Sequence, residues 1–318
     1  LTINFRKFFH AILLCVIWTS AAAQTYPQKD IIVVSTLAAG STQWNLLNTI
    51  GNFMSNNHSK IKFRILEKPG AERMLGANFS AEAAPDGYTI HGGQTSDMVL
   101  LPMIKPQGIK YDENSFVPVA SLATMPVFLV VPANSPINNF KDYVEAANRS
   151  KLKPIVGSTG NLNKLMVARL GQMVDSEMEI IPYNTDAKML TDLAGGHLPS
   201  GILSLLQVRG PAQAGKIKVI ACFGKSRSVD FPDVKTINEQ YPGLTEAYWW
   251  GLYAQKGTSK EVINLLNSEF FTALNNPKLV KELEAIGFDP DPMTLPQVTQ
   301  FHQSEVKKYR PMVEKYLN

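Results

Sequence analysis

Ile31-Ile32-Val33-Val34, then Ala38-Ala39-Gly40-Ser41-Thr42, then Leu46, Leu47, Ile50, Phe53 and Met54: this stretch decides the fold. Four consecutive β-branched residues suit a strand covered on both faces. The i, i+1, i+4, i+7, i+8 spacing that follows puts five large apolar side chains on one face of a helix. Between them lie residues too small to block the approach of another molecule to the backbone. Strand, small loop and helix in that order make the repeating unit of an α/β protein with parallel strands.

The same alternation runs outward from this point. Lys62 to Leu66 reads as a strand, Pro69-Gly70 as a turn, 72–83 as a helix, and Pro85-Asp86-Gly87 as a turn into the strand Tyr88 to His91. Val127 to Val131 is the most continuous β run, and Pro132 closes it. The pattern then restarts. A helix near 139–150 precedes a strand at Pro154 to Val156 and the loop Gly157-Ser158-Thr159-Gly160-Asn161. A helix follows with Leu162, Leu165, Met166, Leu170 and Met173 aligned. Further helices are expected near 186–194, 206–214, 259–275, 277–286 and 295–316, with strands at Lys218 to Phe223 and Tyr248 to Ala254. One device used twice implies two lobes. Crossings near 124 and 245 make lobe 1 discontinuous (24–124 and 245–318) and lobe 2 the segment 125–244.

Composition narrows the function. A chain of 318 residues suits two domains of roughly 100–200 residues each. A formal charge of +4 with no Lys/Arg cluster is no footprint for a polyanion, so nucleic acid is a poor partner. Residues 1–23 have the layout of a secretory signal peptide: basic Arg6 and Lys7, a mostly apolar core from Phe8 to Trp18, and Ala21-Ala22-Ala23 as the cleavage site. The core is short of the ~20 residues that span a bilayer. An N-terminal anchor is the alternative. Removal of 1–23 takes two basic residues and Cys15 with it, leaving Cys222 alone and no internal disulfide. The expected product is exported to the periplasm, soluble and held together by its core.

Signatures of catalysis are missing. No G-x-S-x-G, H-E-x-x-H or C-x-x-C occurs, and His58, His91, His197 and His302 are scattered without ligand spacing. No cofactor or metal is expected. Gly210 to Lys216 fits G-x-x-x-x-G-K, but Ile217 follows instead of Ser or Thr, and the order is helix, Gly215, strand. A phosphate loop runs the other way, so Gly215 reads as a helix C-cap.

The small-residue loops are better candidates. Ala39, Gly40, Ser41, Thr42 and Gln43 at one helix start, and Ser158, Thr159, Gly160 and Asn161 at another, would offer backbone N–H groups, hydroxyls and the positive end of a helix dipole. Facing across a cleft, they could hold a small carboxylate or dicarboxylate. Ser41 and Ser158 as plain N-caps are the alternative. Thr95 and Ser96 follow a strand at the end where ligands sit in open α/β sheets, with a helix cap again as the alternative. Trp44, Trp249 and Trp250 could line a cleft or pack in the core.

Many short segments then converge on one family. Tyr26-Pro27-Gln28-Lys29, Lys68-Pro69-Gly70-Ala71, Ala84-Pro85-Asp86-Gly87-Tyr88-Thr89 and Pro182-Tyr183 occur in order. So do Leu190-Thr191-Asp192-Leu193 with Gly195-Gly196, Phe231-Pro232-Asp233-Val234 and Trp250-Gly251-Leu252. With them the chain resembles the Bug (TctC-like) solute-binding receptors of tripartite tricarboxylate transporters from about Tyr26 to Tyr309. The resemblance implies a two-lobed, type II-like Venus flytrap fold with a hinge, closing on a small organic acid. It also implies delivery to membrane subunits encoded elsewhere, without catalysis. A monomer suits such a shuttle. Against the family's first loop, Ser35 and Thr36 replace Pro and an aromatic, Ala39 replaces Gly, and Gln43 replaces Asp. Glu72-Arg73 stands where the family has Gly-Gly, and Lys164 adds a cation near the second loop. Loss of an acid at Gln43 and gain of Lys164 predict a ligand at least as anionic as a dicarboxylate. A sensor presenting its closed form to a signalling partner is one alternative. A secreted α/β hydrolase, with His91 folded beside Ser96, is the other.

Overall fold

The computed structural model describes residues 26–149, 153–183 and 185–317. The signal-peptide segment therefore lies outside the described residues. The chain forms a mixed sheet with helices on both faces. Its strands are β1 (Ile31–Ser35), β2 (Phe63–Glu67), β3 (Thr89–Gln94), β4 (Phe116–Pro132), β5 (Ile155–Ser158), β6 (Glu179–Pro182), β7 (Gly201–Ser204), β8 (Ile217–Cys222), β9 (Ala247–Gln255) and the two-residue β10 (Asp289–Pro290). The main helices are α1 (Thr42–Asn56), α2 (Met74–Ala81), α3 (Phe140–Arg149), α4 (Gly160–Met173), α5 (Asp186–Ala194), α6 (Leu205–Gln213), α7 (Lys260–Leu274), α8 (Pro277–Ala285) and α9 (Leu295–Tyr316).

The strands run in the order β2-β1-β3-β9-β4-β7-β5-β6, with β8 and β10 also on β4. Strand β4 belongs to two half-sheets. Phe116 to Pro126 pairs with β9, and from Val127 onward the same strand pairs with β7 and β8. The chain thus leaves one half-sheet for the other inside a single extended strand and rejoins the first in β9. This explains a departure from the expected all-parallel sheet. Pairs β1–β2, β1–β3, β5–β6 and β5–β7 are parallel as the alternation requires. The outgoing β4 and returning β9 run opposite ways, so the middle of the sheet is antiparallel. The visible apolar run Val127–Val131 is only the tail of β4.

Burial follows the strand period. Along β4, Phe128 and Val130 enter one apolar cluster with α1, α7 and α8, while Val127, Leu129 and Val131 enter a second with α3, α4 and α9. Both faces are dry. Trp249 and Trp250 sit in these clusters, Trp249 donating its Nε1–H to Glu305 at 3.0 Å, which settles their reading as core. Gly215 takes φ +64° between α6 and β8, the C-cap geometry expected of it. No helix among the described residues is long and apolar enough to cross a membrane.

Candidate ligand-binding cleft

Both small loops fall at the carboxyl ends of parallel strands, β1 and β5, and the helices that follow begin there. The two helix starts are not equivalent. Ser41 caps α1 itself: its Oγ accepts from Trp44 N at 3.3 Å. Gln43 is buried and spends its whole amide on the protein. Its Oε1 accepts from Thr36 N and Oγ1 (3.0 Å each) and Ser35 Oγ (3.2 Å), and its Nε2 donates to Gly92 O at 2.5 Å. It shapes the loop that carries Ala39 and Gly40, both exposed at the tip. The inference that a lost acid at Gln43 makes the cleft less negative is corrected accordingly, since this position turns inward.

At α4 the arrangement opens. Gly157 and Ser158 belong to β5, Thr159 takes the cap position, and Gly160 and Asn161 form the first turn. No side chain caps this helix. Thr159 instead donates its hydroxyl to Asp186 Oδ1 at 2.6 Å, while Asn163 Nδ2 donates to Thr159 and Tyr248 donates to Asn163 Oδ1 at 2.7 Å. Gly160 has φ +71°, and a Cβ placed there would meet nothing within 4 Å. Its glycine serves the turn, and the space above the helix start is free.

The two lobes meet around this point. Asn161 Nδ2 donates to Glu72 Oε2 at 3.3 Å, from α4 to the loop before α2. The next residue, Arg73, turns its guanidinium to the Gln94 amide oxygen, with Nη2 at 3.0 Å. Gln94 ends β3, its backbone N–H is held by Asp97 Oδ1 at 3.0 Å, and Thr95 follows. Contacts thus run unbroken from Tyr248 through Asn163, Thr159 and Asp186 on one side, and from Asn161 through Glu72, Arg73 and Gln94 to Thr95 on the other. Two buried hydroxyls next to these contacts in the chain lack a hydrogen-bond partner in the protein: Thr95 Oγ1, after Gln94, and Ser158 Oγ, before Thr159. An orphan buried hydroxyl costs about 1–3 kcal/mol. Ser96 opens the turn of π-helix Ser96–Leu100 and is half-buried.

Sequence reasoning missed Arg73, Gln94, Asn163, Asp186 and Tyr248 as cleft residues. Only Glu72-Arg73 carried a signal, as a departure from the Gly-Gly of the family. Burial pushes the Asp186 carboxyl up from its ordinary value, against the opposing pull of the Thr159 hydroxyl and the Arg73 charge. Burial likewise pushes the Tyr248 phenol up. Lys164 reaches Asn161 Oδ1 at 3.4 Å and borders an outer groove with Gln172, Met178 and Tyr316, so its charge is shared with the outside. Trp44 faces another outer groove, beside Arg64 and Glu67.

His91 is placed far from any catalytic use. Both ring nitrogens are engaged, Nδ1 with Ser80 Oγ at 2.9 Å and Nε2 with Asp97 Oδ2 at 2.8 Å, and all of it is inaccessible. Ser96 is not its partner. No cluster of metal-binding side chains occurs among the described residues.

Two α/β lobes sharing crossing strands, with hydroxyls and a helix start gathered between them, define a solute-binding receptor. The family model of the tripartite tricarboxylate transporter family receptor, TctC, matches residues 61–317, and the chain belongs to that family of non-enzymatic receptors. It is 29% identical over 305 residues to a UPF0065 protein in the gbd 5′ region of Cupriavidus necator, covering 93% of this chain and 90% of that one. Among solved structures it is similar to one described as a periplasmic transporter, at 27% identity and TM-score 0.79, covering 91% of this chain and 98% of the other. A second, Rpa4515 of R. palustris with adipate, matches at 24% identity and TM-score 0.80, covering 91% and 97%.

Proposed function

We propose that this receptor works in the periplasm as a monomer, capturing a small organic acid between its lobes and handing it to the membrane subunits of a tripartite transporter. The observation that carries the reading is the pair of orphan hydroxyls, Thr95 Oγ1 just after β3 and Ser158 Oγ at the end of β5. Buried hydroxyls without a protein partner can each donate to an acceptor, and a carboxylate supplies up to four lone-pair sites. The uncapped start of α4 adds backbone N–H donors at Gly160 and Asn161, with the helix dipole behind them. Ala39, Gly40, Ser41 and Thr42 would contribute through the exposed loop tip, while Gln43 acts indirectly by fixing that loop. Adipate in a relative of the same fold agrees with an acid as ligand.

The lobes divide as 24–124 with 245–318 and 125–244, the hinge passing through β4 where it changes partners and through the chain ahead of β9. Ligand bound to both lobes favours the closed form because only there are all its contacts made. A thermal-shift screen of organic acids tests this. A ligand at 100 times its Kd adds about 2.7 kcal/mol to folding stability. Stabilisation by amides or sugars with none by any carboxylate overturns the reading.

A further inference from the structure

Helix α4 ends by folding its chain back on itself. Asp175 takes φ +49°, Ser176 N donates to Gly171 O at 2.9 Å, and a Cβ at Gly171 would stand 2.7 Å from Ser176 O. Only a residue without a side chain admits so close a return. The chain then runs through Met178 into β6, the last strand of the sheet. The flank of α4, this return and the end of α9 form an outer groove of about 500 Å³. That size lies within the range of small-molecule sites.

The lining combines apolar surface with polar groups that the protein leaves unused. Val167 and Ala168 of α4, with Met178 and Ile180, supply the apolar part. Lys164 is half-buried, and its one side-chain hydrogen bond among the described residues is the 3.4 Å contact with Asn161 Oδ1. An ammonium has three protons to give. Tyr316 brings a hydroxyl that is shut off from solvent and has no partner in the protein. A lysine laid along its own helix with its head in water is the ordinary surface use of that residue. That use leaves the phenol unexplained, since a buried hydroxyl without an acceptor is costly. The acids in the lining are Asp175, exposed and about three helical turns from Lys164, and Glu177, which pairs with Lys153 at 2.7 Å.

We propose that this groove is a second ligand site, outside the cleft, for an amphiphilic monocarboxylate. Its carboxylate takes the free protons of Lys164 and Tyr316, and its apolar chain lies on Val167, Ala168 and Met178. A second carboxylate at the far end of such a chain would approach Asp175 and Glu177, and like charges repel there. The groove therefore separates acids with one charged end from acids with two. Nothing in the argument depends on what the cleft holds.

The test is a nuclear magnetic resonance titration of the mature chain carrying ¹³C-methyl methionine, with decanoate below its micelle concentration as the probe and the Met178 methyl as the reporter. The Met178 signal should shift and saturate. Sebacate, the same chain with a carboxylate at both ends, should bind at least tenfold more weakly. Lys164→Gln should weaken decanoate at least tenfold and Tyr316→Phe at least threefold. Ala168→Leu, which fills the groove from an exposed flank with a good helix former, should abolish the shift. A Met178 signal that decanoate leaves in place overturns the proposal. So does a shift that persists in Ala168→Leu, or one that sebacate or the Lys164→Gln protein reproduces at the same concentration.

Discussion

Tyr309 donates its hydroxyl to Oε2 of Glu246 at 2.6 Å, joining the C-terminal helix to the segment just ahead of β9. Lys308 Nζ donates to the same oxygen at 2.7 Å, and Arg169 from α4 pairs with Oε1 while its Nη2 holds Gly243 O at 2.6 Å. The Glu246 backbone N–H also bonds Phe223 O. One buried carboxylate therefore ties α4, α9 and the segment ahead of β9 together. Removing it leaves Arg169 without a carboxylate and Lys308 with Glu305 alone. Glu246→Ala should cost about 3–5 kcal/mol in denaturant unfolding. Tyr309→Phe, which removes one bond and keeps the packing, should cost about 1 kcal/mol. Equal losses from the two would show that packing and not charge holds this joint.

Gln43 makes a second case of a polar side chain fully consumed by structure. Its amide bonds four groups on β1, the loop after it and β3. Gln43→Ala leaves the Thr36 N–H and Gly92 carbonyl without those partners in a dry place. A loss of about 2–3 kcal/mol is expected. Gln43→Glu should also destabilise, because the new carboxylate would face the Gly92 carbonyl that Nε2 now satisfies. A variant as stable as the parent, read by thermal melting, would return Gln43 to the set of direct ligand contacts.

The elements were legible where periodicity was strong, and the cleft was legible only in part. Helix α1 and strand β1 announce themselves because burial on one face or both leaves a 3.6 or continuous apolar pattern. The short strands Glu179–Pro182 and Gly201–Ser204 carried too little pattern to read. The first eleven residues of β4 were hidden because Pro118, Ser121, Thr124 and Pro126 interrupt the apolar run, which two register shifts against β9 accommodate. In the cleft, Ser158 and Thr95 stood out as small polar residues at strand ends. Asp186 did not, and Arg73 showed only as a departure from the family's Gly-Gly, because meeting across lobes depends on the closure angle, which no local spacing encodes. Gln43 shows the converse: a residue at the right place in the chain whose rotamer turns it inward.

Acid should weaken the fold through His302. Burial pulls its pKa down from 6.5 to about 4, with the Glu113 charge opposing, and Nδ1 faces Tyr253 Oη at 3.1 Å. The unfolded chain therefore takes up this proton first as pH falls. Stability from the neutral ring is complete above pH 6.5 and is lost progressively down to about pH 4. At 1.36 kcal/mol per pKa unit the ceiling is about 3 kcal/mol. His302→Gln should flatten the stability profile across that window. A wild-type profile flat from pH 6.5 to 4 would show that the ring reaches solvent.

Ser158 and Thr95 should trade stability against affinity. Their hydroxyls are buried without partners in the protein, so on the carboxylate reading each carries a desolvation cost that a bound acid relieves. Ser158→Ala removes the cost and the donor together. The ligand-free protein should become equally or more stable, by up to about 1 kcal/mol, while carboxylate affinity falls about tenfold. Thr95→Val keeps the shape of the side chain and should behave the same way. Both variants require two measurements, a melt without ligand and a titration with it. A purely structural hydroxyl would lose stability on removal and leave affinity unchanged. Opposite signs in the two experiments therefore separate a binding group from an ordinary buried serine, and they do so without knowledge of the natural ligand beyond an acid that binds.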